Sequence, residues 1–193
     1  MSYLRSPGLW LFVGGLETLF LVHLSEFLYS GYSVSNNFIS DLGVGTTPSK
    51  VIFTVAVILF GLLAIVTAFL MRARDKSAWI WRFILLSGVG AIGVGVFNED
   101  FIPLVHGVSA FLAFFFGNLA AIFSTRMVRP PVSWVFALLG SIGLAALVLF
   151  GTRTDLGLGV GGMERMVFYP AMFWAIGLGA YLMAEENRPA QDH

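Results

Sequence analysis

Six long apolar runs, separated by short polar intervals, dominate the chain. They cover about residues 8–28, 49–71, 79–97, 106–125, 132–151 and 163–184, and a helix that crosses a bilayer needs roughly 20 such residues. The pattern predicts an all-α polytopic membrane protein, a bundle of six transmembrane helices forming a single domain over residues 1–193. Thr47 and Pro48 suit the start of the second helix, as cap and first-turn residue. Pro130 and Pro131 separate the fourth helix from the fifth.

The longest polar interval is 32–43. It carries Ser33, Ser35, Asn36, Asn37, Ser40 and Asp41, interleaved with Phe38, Ile39 and Leu42. That mixture predicts a packed loop, and long connections in compact proteins are usually functional or disordered.

Composition agrees with the pattern. The chain is 58% hydrophobic and 11% charged, with mean hydropathy +0.86, whereas soluble domains carry about 25% charged residues. Lys+Arg and Asp+Glu are both 11, so net charge selects neither acidic nor basic partners. No basic cluster interleaved with aromatics points to nucleic acid. With no cysteine, disulfides, thiolate metal sites and redox thiols are excluded. The first apolar run lacks a small-residue cleavage pattern and is expected to be a retained helix.

The basic residues orient the bundle. A cytoplasmic N-terminus puts eight inside (Arg5, Arg72, Arg74, Lys76, Arg82, Arg126, Arg129 and Arg188) and three outside (Lys50, Arg153 and Arg165). Both termini are therefore expected in the cytoplasm and the 32–43 loop on the outer face. Small residues recur every four positions at Ser87, Ala91 and Gly95, at Ala137, Ser141 and Ala145, and at Ala171, Ala175 and Gly179. Such stripes let helices approach closely in lipid. Packing within the chain is the expectation, and a homo-oligomer seam or a partner in a membrane complex the alternative. The glycine pattern over 88–93 matches a dinucleotide-binding fingerprint only by spacing, since it lies inside a spanning helix. Residues 157–162 read as a flexible outer loop before helix six.

Ionisable residues inside a membrane mark functional sites by default. His23 and Glu26 share one helix face, extended by Ser30. Glu17, near mid-bilayer, is expected to be protonated or hydrogen-bonded, with a proton path as the functional alternative. At the outer level four segments contribute polar groups: Tyr32, Ser35, Asn36, Ser40 and Asp41; Asn98, Glu99, Asp100 and His106; Glu164 and Arg165; and the His23/Glu26 face. Arg165 is expected to pair with Asp41 or Glu99, tying the loop to helix six, and Asp41 to cap a turn.

The pieces His23-x-x-Glu26, Tyr32-Ser33, Asn37-x-Ile39-Ser40-Asp41-Leu42-Gly43, His106 and Gly162-x-Glu164-Arg165 resemble the domain-of-unknown-function family 998. That is a group of six-helix prokaryotic membrane proteins, so the resemblance implies this fold and a prokaryotic cell membrane. It implies no activity. The chain is more distantly similar to six-helix proteins of the DRAM type, which are linked to membrane-lipid handling. Phe97-Asn98 departs from the proline-containing turn expected before the acidic residues.

Three functions compete. The first is a membrane enzyme acting on a lipid or other amphiphile from the outer leaflet. His23 and His106, with Asp41, Glu26 or Glu99, could hold a hydrolytic Zn²⁺, while Arg165 binds a phosphate and Glu164, Tyr32, Ser40, Asn36 and Glu99 help bind the ligand. A metal-free version uses His106 as general base, oriented by a carboxylate. The second is a small transporter or proton-coupled channel using Glu17 and the His23/Glu26 face, disfavoured because helices two to six lack ionisable groups at mid-depth. The third is a non-catalytic accessory or lipid-binding subunit. Haem is disfavoured, because His23 and His106 could bracket at most one and His193 lies in the tail.

Overall fold

The computed structural model describes residues 3–75 and 79–187; Lys76, Arg188 and His193 lie outside the described residues. Among those described, six α-helices and no strands are present: α1 (Pro7–Leu28), α2 (Pro48–Arg74), α3 (Ile80–Val96), α4 (Pro103–Phe123), α5 (Val132–Gly151) and α6 (Gly159–Glu186). Five are long and apolar enough to cross a membrane, and α3 is a shorter apolar helix. The chain is an all-α polytopic membrane protein.

Helix starts follow local chemistry. Ser6 caps α1, its Oγ accepting from Leu9 N–H at 3.3 Å, with Pro7 next. Thr47 holds the cap position of α2, but its hydroxyl bonds Ser49 Oγ at 2.6 Å in place of the helix backbone. Two starts fall earlier than the hydrophobic pattern places them. α4 begins at Pro103, three positions before His106, because proline is at home in a first turn. α6 begins at Gly159, so 159–162 are helix and not a flexible loop.

Each helix packs on its neighbours in the chain, α6 closes the ring onto α1, and α4 touches α6 across the middle. Backbones approach where glycine permits it. A Cβ on Gly61 would stand 2.5 Å from Gly88 O, joining α2 to α3, and one on Gly8 would stand 2.6 Å from Gly179 O, joining α1 to α6. The stripes in α3 and α6 do face the bundle: Ala91, Ala171 and Ala175 are buried. The α5 stripe does not. Ser141 and Ala145 are exposed, and Gly140 and Gly143 supply the packing face. Gly143 lies directly against the amide of Asn118, whose Nδ2 donates to Phe114 O at 2.9 Å and Val167 O at 3.1 Å, bridging α4 to α6.

Two apolar clusters fill the bundle. One, around Leu11, Ile84, Phe136, Trp174 and Leu178, seals the end that holds the start of α1 and the ends of α2 and α6. There the Arg74 guanidinium pairs with Glu186 and donates to Arg5 O at 3.0 Å, fastening three helix ends. The other, around Val22, Leu42, Phe53, Phe168 and Met172, lies at the opposite end, beneath the 32–43 loop.

Candidate functional site

The 32–43 loop is strapped to the first two turns of α6. Gly161 N–H donates to Ser35 O at 2.9 Å, and Ser35 Oγ donates to Leu158 O at 2.7 Å. Ile39 N–H donates to Glu164 Oε2. A Cβ on Gly161 would overlap Asn37 O, which is why the first turn of α6 is rich in glycine: loop backbone lies where side chains would be. Within the loop, Asp41 Oδ2 accepts from Asn37 Nδ2 at 3.0 Å and Phe38 N–H at 2.9 Å. Asp41 caps the turn, as its Asp-Leu-Gly context predicts.

Arg165 is the knot of this arrangement. Its residue is 4% exposed. Nη1 donates to Val34 O and Gly161 O at 2.9 Å and to Asn37 O at 3.4 Å; Nη2 donates to Glu26 Oε1 at 2.5 Å and Tyr32 Oη at 2.7 Å. Tyr32 in turn donates to Phe38 O at 2.9 Å. Burial pushes the Tyr32 hydroxyl up to about 12, against the opposing pull of the Arg165 hydrogen bond and charge. The expected partner of Arg165 was Asp41 or Glu99; its ion pair is with Glu26, because α1 presents that carboxylate beside α6 while Asp41 is turned into its own loop. Both Nη atoms of Arg165 are engaged in these bonds while its Nε is buried without a partner, and Glu26 serves as its counter-ion.

His23 and His106 part company. His23 is exposed on α1, its Nδ1 donating to Leu19 O at 2.7 Å and its ring stacked on Tyr169 at 6.0 Å. His106 is 7% exposed, and its Nδ1 donates to Phe97 O at 2.9 Å. That bond fixes the proton on Nδ1 and leaves Nε2 an acceptor in the neutral ring. Among the described residues no three of His, Asp and Glu gather closely enough to share a metal ion. The set His23, His106 and Asp41 is dispersed over α1, α4 and the loop, so these residues do not fit a zinc site. Asn98 accounts for the missing proline before the acidic pair: its Oδ1 accepts from Phe101 N–H at 3.0 Å and turns the chain by side-chain bonding.

What His106 does face is space. A cleft of about 770 Å³ runs between α4 and α5 under the loop, within the roughly 300–1,000 Å³ typical of small-molecule sites. Its walls are apolar, with Phe111, Phe115, Leu144 and Leu147 among them, and its polar end holds Ser40, Glu99, His106, Thr152 and Glu164. Phe111 and Val148 at its mouth are 51% and 66% exposed, so it opens sideways between helices. A smaller chamber of about 70 Å³ continues inward past Ser40, His106, Ala110, Phe114 and Glu164, ending near Thr18 and Trp174. Glu164 is 5% exposed, and its Oε2 accepts from Ile39 N–H.

Of the residues singled out in the sequence, the cleft gathers Ser40, Glu99, His106 and Glu164. Tyr32, Glu26 and Arg165 hold the loop, while Asn36 is exposed on it. Glu17 lies lower on α1, its Oε1 bonded to Thr18 Oγ1 at 3.0 Å and its Oε2 buried without a partner. Most of the walls were missed: Phe111, Phe115 and Phe150 look like any lipid-facing positions, only the density of phenylalanine over 111–116 could have drawn attention to the first two, and Phe38 stood out only as a packing residue of the loop.

The fold and this site define a polytopic helical membrane protein with a lateral cleft beneath a clamped loop. The chain belongs to the family described as protein of unknown function DUF998, whose model matches residues 12–181. No curated protein and no solved structure matches it.

Proposed function

We propose that the protein takes up a membrane amphiphile through the lateral cleft, with the chain against α4 and α5 and the head group at Ser40, Glu99, His106 and Glu164. The loop end of the bundle is then the extracytoplasmic end, as the basic residues indicate. The observation that carries this reading is the cleft itself: apolar walls open toward where acyl chains lie, ending in convergent polar groups. His106 is the acid–base group for chemistry on a bound head, since Nε2 is a free acceptor and Nδ1 is held by Phe97 O. A carbonyl, and not the expected carboxylate, orients the ring. The small chamber ends near Trp174, above the packed cluster that seals the other end, which favours capture and processing over passage across the bundle.

The test is retention of amphiphile by protein purified in a mild maltoside detergent, read by extraction and mass spectrometry. Ala110 lines both cavities, so Ala110→Trp should lose the bound species while remaining folded by circular dichroism. Equal retention by wild type and variant would sink the proposal.

A further inference from the structure

Resting on that reading, we infer that the amphiphile carries a positively charged nitrogen, as in a long-chain amine or quaternary ammonium compound. The polar end of the cleft is chemically one-sided. It holds two carboxyl groups, Glu99 and Glu164, and neither lysine nor arginine lines it. Arg165, next in the chain to Glu164, gives both its Nη atoms to Glu26, Tyr32 and backbone carbonyls, its Nε is buried without a partner, and it does not line the cleft. Its charge is offset by Glu26, leaving the carboxyl groups to set the sign of the site.

Glu164 supplies an independent pointer to a ligand. The residue is 5% exposed and lines both cavities, and the hydrogen bond from Ile39 N–H goes to its Oε2. That leaves Oε1 free of the Ile39 contact, and an ammonium group at the head of the cleft would supply it with a donor and a positive charge. His106 Nε2, an acceptor, and Ser40 face the same space, so an N–H head finds acceptors on several sides. The aromatic faces of Phe38, Phe111 and Phe115 suit a methylated ammonium as well. An anionic head would instead meet two carboxylates with no cation to balance them. Arg153, exposed and next in the chain to the lining Thr152, is the basic residue the anionic alternative would use.

The experiment compares binding of hexadecyltrimethylammonium, hexadecylamine, hexadecanol and palmitate to the intact protein in nanodiscs of neutral lipid, by equilibrium partition of labelled ligand. Charge selection predicts both cations bound about tenfold or more tightly than the alcohol, the scale of one charge-assisted contact, with palmitate weakest. Glu164→Gln keeps an acceptor for Ile39 N–H and should erase the preference, and Glu99→Gln should reduce it without touching the loop clamp. Alcohol or palmitate bound as tightly as the cations overturns the charge inference and leaves the amphiphile reading standing. Palmitate bound tightly and lost in Arg153→Gln overturns it in favour of an anionic head. No saturable binding of any chain sinks both. If Glu164→Gln does not fold, an unchanged preference in Glu99→Gln is enough to overturn the inference.

Discussion

Arg165 Nη2 and Glu26 Oε1 lie 2.5 Å apart, though 139 residues separate them in the chain. Their side chains are 5% and 14% exposed, so the pair is desolvated, and removing one partner leaves a buried charge uncompensated. Such losses run to about 3–5 kcal/mol. Arg165→Met should therefore lower the apparent melting temperature in detergent sharply, Glu26→Gln somewhat less, and the double variant by less than the sum. Additive single effects would show that the two are not coupled.

The same clamp holds the loop through backbone, not only through charge. Gly161→Val would drive a side chain into Asn37 O and should lift the 32–43 loop off α6. Limited proteolysis reads this: cleavage within 32–43 should appear in the variant under conditions that leave the wild type intact. Gly151→Ala, where an added Cβ meets open space, should leave cleavage and stability unchanged within about 0.5 kcal/mol.

At alkaline pH the loop has its own titration. Burial holds the Tyr32 hydroxyl at about 12, against about 10 for a free tyrosine. The folded state thus keeps a proton that the unfolded chain releases first. The contribution is complete below about 10 and is lost as pH rises from about 10 to about 12. Melting curves should fall across that window in the wild type and fall less in Tyr32→Phe, which is destabilised at neutral pH by the lost bonds to Arg165 and Phe38 O.

Gly143 and Asn118 make a separate test of the α4–α5–α6 seam. A methyl group on Gly143 would overlap the Asn118 amide, so Gly143→Ala should cost about 1–3 kcal/mol as overpacking. The general gain of alanine over glycine in a helix works in the opposite direction. A rise in melting temperature would mean that α5 stands further from α4 than the packing shows.

These sites differ in how visible they were. Six helices are legible because lipid imposes one demand, about 20 apolar residues, on every span. Helix ends are less so. The glycine-rich stretch 157–162 looks like a linker until it is known that loop carbonyls occupy the space of side chains at Gly159 and Gly161. Arg165 and Glu164 stood out as charges in an apolar run, yet the partner of Arg165 depends on which helices adjoin. Only the closed ring brings α1 beside α6 and selects Glu26 over Asp41. The cleft was invisible because its walls are phenylalanine and leucine, which serve equally against lipid, against a neighbour or around a ligand. The α5 stripe failed for a related reason: small residues at four-residue spacing fit two faces of a helix, and Gly140 and Gly143 win because Asn118 and Ile122 press against them.

The two histidines give the sharpest contrast between a spacing argument and a geometric one. By sequence they were candidates for one site; by structure His23 is stacked on Tyr169 at the exposed side of α1, and His106 faces the cleft. The outcomes should separate accordingly. His106→Ala should weaken amphiphile retention several-fold, since it removes an acceptor from the head-group end. His23→Ala should leave retention unchanged and cost at most a few tenths of a kcal/mol at an exposed position. Because His23, His106 and Asp41 do not converge, treatment with a strong chelator should change neither the melting temperature nor the amphiphile content. A chelator-sensitive melting temperature restored by Zn²⁺ and lost in both histidine variants would require the two rings to meet in another conformation, and would return the metal-dependent mechanism to first place.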